Sequence, residues 1–199
     1  FAGINFFDSN FPAEVKLNAF NPFIPLNDKD SSLPASFFEF TVINNSLKEI
    51  DYTIVGSIAN MSNVNQLNQF SKLDKFNLIH LNSPSDNENN NISIATDAEQ
   101  VSYQEYWYRG SWFDNLSVFW SDFINNNNFK NRYYSYKKDE DNINYSGDDH
   151  CSLASHFKLK PGETKNIKFI IFWYYPVVTN YWNPLNNKNS CCNDSDIEC

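Results

Sequence analysis

The sequence predicts a mainly β fold, an antiparallel sandwich of the supersandwich kind carrying one amphipathic helix, and three observations lead there. Short segments rich in aromatic and β-branched residues recur along the chain with polar turn sequences between them. Some of these segments alternate apolar and polar residues with the period of a half-buried strand. Only one segment spaces its apolar residues for a helix. The 199 residues fit one domain with a sizeable core, and 18 Phe, 11 Tyr and 5 Trp supply apolar bodies for it despite a mean hydropathy of -0.55.

The first strand signal is EVKLNAF, residues 14–20, with Val15, Leu17 and Ala19 on one face and Glu14, Lys16 and Asn18 on the other. The stretch AFNPFIPLNDKDSSLP, residues 19–34, then combines three prolines, large apolar residues and a charged run. Pro22, Pro25 and Pro34 hold an extended path at low entropic cost, so a rigid crossover is expected. In that reading Phe20, Phe23, Ile24 and Leu26 pack down, and Asp28, Asp30, Ser31 and Ser32 form the polar turn back. ASFFEFTVI (35–43) and IDYTIVGSI (50–58), separated by Asn44-Asn45-Ser46, read as an antiparallel hairpin. Further strands are expected at 76–82, 91–96 and 101–108.

In SWFDNLSVFWSDFI the apolar residues Trp112, Phe113, Leu116, Phe119, Trp120, Phe123 and Ile124 recur at helical spacing. Ser111 and Asp114 resemble a capping box, so one helix near 111–125 is expected to pack on a sheet, its aromatic stripe in the core; a ligand platform is the alternative. Residues 130–149 read as a long loop. LASHFKLKPGETKNIKFIIFWYYP reads as a closing hairpin around Pro161-Gly162-Glu163, stopped by Pro176. Residues 1–185 then form one domain and 186–199 a polar tail rich in Asn and Cys.

A net charge of -9 repels phosphate backbones and argues against nucleic-acid binding. No apolar run reaches the roughly 20 residues that span a bilayer, and the start, without Met or a signal segment, reads as a cut end. Cys151, Cys191, Cys192 and Cys199 do not form the spread of a disulfide framework or the paired halves of a zinc site, so no metal is expected. They read as reduced thiols, with the compartment open and the cytoplasm slightly favoured. Asp139-Glu140-Asp141 and Asp148-Asp149 read as solvated charge runs rather than a glycosidase carboxylate pair. His150 and His156 read as surface or interface residues rather than partners of Cys151 in a metal site or Cys–His pair. Phosphate loop, nucleophile elbow and zincin motif are all missing, so no catalytic residue and no cofactor is assigned.

The stretch LNAFNPFIPLNDKDSSLPASFFEFTVINNS resembles the amino-terminal region of glycoside hydrolase family 116, the family of non-lysosomal glucosylceramidase and bacterial β-glucosidases. There a strand runs into an FxPFIP element, an acidic DSS-P turn and an aromatic strand. SWFDNLSVFWSDF and LASHFKLKPGETKNIKFIIFWYYPV are similar to that region's helix and closing strands, in the same order over residues 14–182. The family's glycine-rich opening and its run into the next domain have no counterpart here, which reads as an excised part or a shortened homologue.

The resemblance implies a β-sandwich domain that packs against a carboxy-terminal (α/α)6 barrel of a retaining β-glucoside-cleaving enzyme, with both catalytic carboxylates in the barrel. It also implies that the opening stretch contacts the other domain, through Phe23, Ile24, Pro25, Asp28 and Asp30. A carbohydrate-binding module acting alone is the alternative. Trp107, Trp112, Trp120, Trp173 and Trp182 are its candidate stacking faces, Trp182 the best placed for a surface position. A homodimer through exposed strand edges is a further option.

Overall fold

Two antiparallel sheets of unequal size face each other in the computed structural model, which describes residues 1–62, 65–84, 89–110, 112, 114–125, 128–137 and 147–177. Among the described residues the strands are β1 (Ala2–Phe6), β2 (Ala13–Phe20), β3 (Ala35–Asn44), β4 (Ile50–Ala59), β5 (Leu67–Leu73), β6 (Phe76–Asn82), β7 (Asn91–Thr96), β8 (Val101–Gln104), β9 (His150–Leu159) and β10 (Thr164–Tyr174). The helices among the described residues are the single turn α1 (Asp28–Ser31) and α2 (Asn115–Asn125). The larger sheet has seven strands in the order β1-β2-β3-β10-β7-β6-β5, and the smaller has three in the order β4-β9-β8.

The core lies between the sheets. Ile79, Leu81, Ile94, Ile167 and Phe169 of the larger sheet meet Cys151 and Leu153 of the smaller, and Val42, Tyr52 and Leu159 form a second cluster beside them. Gly56 allows the close approach, since a Cβ there would lie 2.6 Å from Ile94 Cδ1 and 3.1 Å from Phe169 Cδ1.

Both expected hairpins are corrected by the register. β3 pairs with β2 and β10, whereas β4 pairs with β9, so the Asn44-Asn45-Ser46 turn carries the chain from one sheet to the other. The Pro161-Gly162-Glu163 turn does the same between β9 and β10. The turn chemistry is as read, with Gly162 at a φ of 74 and Glu163 N donating to Lys160 O at 3.0 Å. The strands that leave these turns part because each buries its apolar face against the opposite sheet.

α2 covers the outer face of the smaller sheet. Phe119 stacks on Trp107 with ring centroids 4.3 Å apart, and Trp107 Nε1 donates to Ser152 Oγ of β9 at 2.7 Å. Gln104 and Arg132 both donate to Asp122 Oδ2, at 2.8 and 2.6 Å, which fixes the helix over β8. The helix begins at Asn115 with Asp114 O accepting from Val118 N at 3.0 Å; Ser111 lies outside the described residues. Only part of the aromatic stripe is inward. Trp120 is 56% exposed and Leu116 and Ile124 face solvent with it, which corrects the expectation that the stripe is core.

One end of the sandwich is closed by polar groups. Asp149 was read as part of a solvated charge run, yet it is buried and accepts two bonds from Arg109, at 2.9 Å from Nε and 2.7 Å from Nη2. The guanidinium lies over the Tyr106 and Tyr134 rings, 5.0 and 4.7 Å from their centroids, and Nη1 donates to Ser135 O at 2.9 Å. Each side chain of the pair is 1% exposed, so removing one partner strands a buried charge. Arg109→Met is expected to lower unfolding free energy by about 3–5 kcal/mol in chemical denaturation, while Arg132→Met at the Asp122 pair, whose side chains are 24% and 23% exposed, is expected to cost less, about 1–2 kcal/mol.

Candidate domain-contact surface

The connector from β2 to β3, residues 21–34, is ordered by its own hydrogen bonds. Ile24 O accepts from Asn27 N at 3.0 Å, closing a turn with Pro25 second and Leu26 third, and Leu26 has a φ of 64. That is the type II pattern, in which the third position favours glycine because a side chain there is strained. Ser31 Oγ accepts from Ile24 N at 2.9 Å and donates to Ile24 O at 3.0 Å. Asn27 caps α1, its Oδ1 accepting from Asp30 N at 3.1 Å while its Nδ2 donates to Asp30 Oδ2 at 2.7 Å. Asn21 Nδ2 ties the connector to the start of β3 by donating to Ala35 O at 2.7 Å and Ser36 Oγ at 2.9 Å.

This frame holds apolar side chains in solvent. Leu26 is 107% exposed and Phe23 80%, with Ile24 and Leu33 also exposed. Packing down is therefore corrected for Phe23, Ile24 and Leu26; of the four residues expected to do so only Phe20 is half-buried, stacked on Phe37 at 5.4 Å. The rigid crossover itself is present, made by the bonds above.

The exposed residues adjoin the outer face of the seven-stranded sheet. Alternation places Phe20, Phe37, Ile170, Ala95 and Leu78 in one row on that face, paired strand to strand by register. Phe172 lies in the next row, opposite Ala35. At the same end β10 runs out at the exposed Tyr174, and Tyr175 and Val177 are exposed beyond it. Phe23, Ile24 and Pro25 are thus brought to one apolar rim. Asp28 sits exposed beside them, whereas Asp30 is engaged with Asn27 inside the connector.

The other residues singled out in the sequence are dispersed. Trp182 and Asp139-Glu140-Asp141 lie outside the described residues. Trp107 is packed under α2, Trp173 is half-buried and Trp112 is 87% exposed. Cys151 points into the core, where burial pushes its thiol up to about 12, while alternation puts His156 on the opposite face of β9. A Cys–His pair is therefore ruled out by the pleat. His156 instead bridges two hydroxyls, Thr53 Oγ1 at 3.0 Å from Nδ1 and Ser102 Oγ at 2.7 Å from Nε2.

Residues 1–190 match the family model described as beta-glucosidase 2, glycosyl-hydrolase family 116 N-term. Among solved structures, one match is described as "Putative kojibiose phosphorylase from human microbiome", at 8% identity and a TM-score of 0.45. The alignment covers 86% of this chain and 17% of that one, so the chain spans under a fifth of that protein's length. The search of curated proteins returned no match.

Three outcomes test the surface and the fold that carries it. Replacing Phe23 and Ile24 by Ser is expected to change unfolding free energy by less than about 0.5 kcal/mol, since neither side chain is held in the core. Leu26→Gly relieves the positive φ and is expected to leave thermal stability equal or raise it by up to about 1 kcal/mol. Burial lowers the pKa of both His80 and His156 from 6.5. The unfolded chain then binds protons that the fold resists, so stability is complete above about pH 6.5 and falls as pH drops below it. Denaturation midpoints measured across that range should decline on the acid side, and the decline should shrink in His80→Asn/His156→Asn.

Proposed function

The chain belongs to the amino-terminal domains of glycosyl-hydrolase family 116, and on that premise we propose that it is a non-catalytic sandwich bracing an (α/α)6 catalytic barrel through the connector and the adjoining sheet face. The observation that carries this reading is the connector itself. A leucine held at positive φ and wholly exposed, next to an exposed phenylalanine, costs stability in the isolated domain and gains nothing there. A partner surface that covers the rim would turn that cost into buried apolar area.

The chemistry of the sandwich fits a supporting role. Glycoside cleavage needs one protonated and one ionised carboxylate facing the sugar, and the buried Asp149 is committed to Arg109 in a structural pair. The β-glucosidase activity is then the barrel's. Trp112 and Trp120, both exposed, favour one second reading, in which the domain binds carbohydrate by stacking. The edge strand β1, exposed at every residue, is where a second copy would pair if the domain dimerised.

Binding between this chain and the separately expressed barrel of its parent enzyme is the test. Association that weakens about tenfold or more in Phe23→Ser/Leu26→Asp supports the contact, because such rim anchors each contribute on the order of 1 kcal/mol or more. Association unchanged by that variant, or none at all, refutes it. Hydrolysis of an aryl β-glucoside by the purified chain would overturn the non-catalytic assignment.

A further inference from the structure

Where the chain crosses between sheets, two strand edges are left open. β7 pairs with β10 only from Thr96 and Phe169 onward, and β8 pairs with β9 only from Val101 and Ser155 onward. Residues 97–100 make the crossing, and beyond it the end of β9 and the start of β10, still paired with β4 and β3 on one side, have among the described residues no strand on the sides where β8 and β7 lay. The backbone directions are fixed by the bonds at the crossing. Lys168 N donates to Asp97 Oδ1 at 3.0 Å, and Lys168 O accepts from Thr96 Oγ1 at 2.8 Å. Two and four residues earlier, Asn166 and Thr164 point their N–H and C=O groups the same way, toward a side where β7 has ended.

A cleft of about 770 Å³ opens against this edge. Its floor is apolar, from Tyr52, Phe157, Leu159 and Ile167, of which all but Phe157 are buried. Its rim carries four carboxylates, Asp51, Asp97, Glu99 and Glu163, against two ammonium groups. Lys158 lies 3.5 Å from Asp51 of that rim and 3.7 Å from Glu49 outside it, and with both lysines counted the rim keeps more carboxylates than ammonium groups. Among the described residues no tryptophan lines it, and its aromatic side chains lie in the floor rather than as an open stacking face.

From this geometry we propose that the cleft docks a short extended peptide with a basic side chain, which adds as a strand along β10 at Thr164 and Asn166. An extended backbone repeats its donors and acceptors every two residues, about 6.8 Å, which matches that edge. Its alternate side chains face opposite ways, one onto the apolar floor and the next toward the carboxylate rim. A pyranose matches neither the periodic backbone groups nor the charge. The site is separate from the connector rim, and it stands or falls independently of the barrel contact.

The probe is the peptide acetyl-Val-Lys-Val-Lys-Val-amide titrated into the isotope-labelled chain and followed by amide NMR. Selective shifts of the Thr164 and Asn166 amides are expected. N-methylation of alternate peptide nitrogens, which removes two backbone donors, should weaken binding about tenfold. Glu99→Lys, at an exposed rim position, should weaken it several-fold while leaving the spectrum of the free chain otherwise intact. Three results overturn the proposal: no shift at about 1 mM peptide, equal binding of the N-methylated peptide, or shifts at this edge with cellobiose but not with the peptide. The first would mean that Lys158 and Lys165 serve to keep strands off the edge.

Discussion

The buried Arg109–Asp149 pair is the constraint on which the arrangement of the two sheets depends. Asp149 stands immediately before β9 and Arg109 beyond β8, so the pair spans the open end of the smaller sheet. Its bonds reach the larger sheet through amide side chains. Asp149 N donates to Gln66 Oε1 at 2.8 Å, Gln66 Nε2 donates to Asn60 O at 2.7 Å, and Asn60 Nδ2 donates to Asn68 Oδ1 of β5 at 2.9 Å. Tyr106, whose ring lies under the guanidinium, accepts from Asn68 N through its hydroxyl at 3.0 Å. A hydrophobic core specifies that the sheets stack, but it slides easily; a buried network of directed bonds sets one position. Its polar groups are stable there because each has a partner.

With that end fixed, the three strands cover the larger sheet from β3 out to its β5 edge, where Phe70 stacks on Tyr103, and among the described residues leave the opposite wing open. The uncovered part of the larger sheet is its β1–β2 wing, whose inward row of Val15, Leu17, Ile4 and Phe6 grows more exposed toward β1. The outer face carries the Phe20–Phe37 row, and the connector that begins at Phe20 continues it. Both follow from one imbalance. A seven-stranded sheet presents more apolar surface than a three-stranded partner and one helix can bury. The apolar surface left over is the surface on which the proposed contact with a second domain rests.

Much of the sheet was legible and the topology was not. Alternation in EVKLNAF and the short apolar segments between polar turns at 76–82 and 91–96 located β2, β6 and β7, because those strands bury one face or both. β1 was missed because AGINF has Gly and Asn among its five residues and buries none of them. β5 was missed because the residue it buries is Asn68, a polar side chain serving the network. Turn sequences at 44–46 and 161–163 specify a reversal, yet a reversal serves equally to pair two strands or to pass between sheets. Which occurs depends on where each strand's apolar face finds cover, a property of the whole chain. Asp149 was unreadable for the same reason: the arginine that neutralises it lies 40 residues earlier. The aromatic setting of Arg109, in Tyr106-Trp107-Tyr108-Arg109, was the available signal.

The connector separates two ways in which a sequence can hold apolar residues. Phe20 is kept by packing, and its neighbours require it. Phe23, Ile24 and Leu26 are kept by a frame of Ser31, Asn27 and Pro25 that fixes their backbone without covering their side chains. Ordering a loop costs entropy, and here the cost is met by hydrogen bonds to solvent-exposed groups, a weak return. Were the loop a plain linker, Gly at 26 and polar residues at 23 and 24 would serve the fold better. The turn instead presents a fixed apolar ridge, so little further ordering is left to oppose contact with a second surface. Rigidity without burial is what distinguishes a prepared interface from an incompletely packed core, and the seven-stranded sheet supplies the base on which that ridge is held.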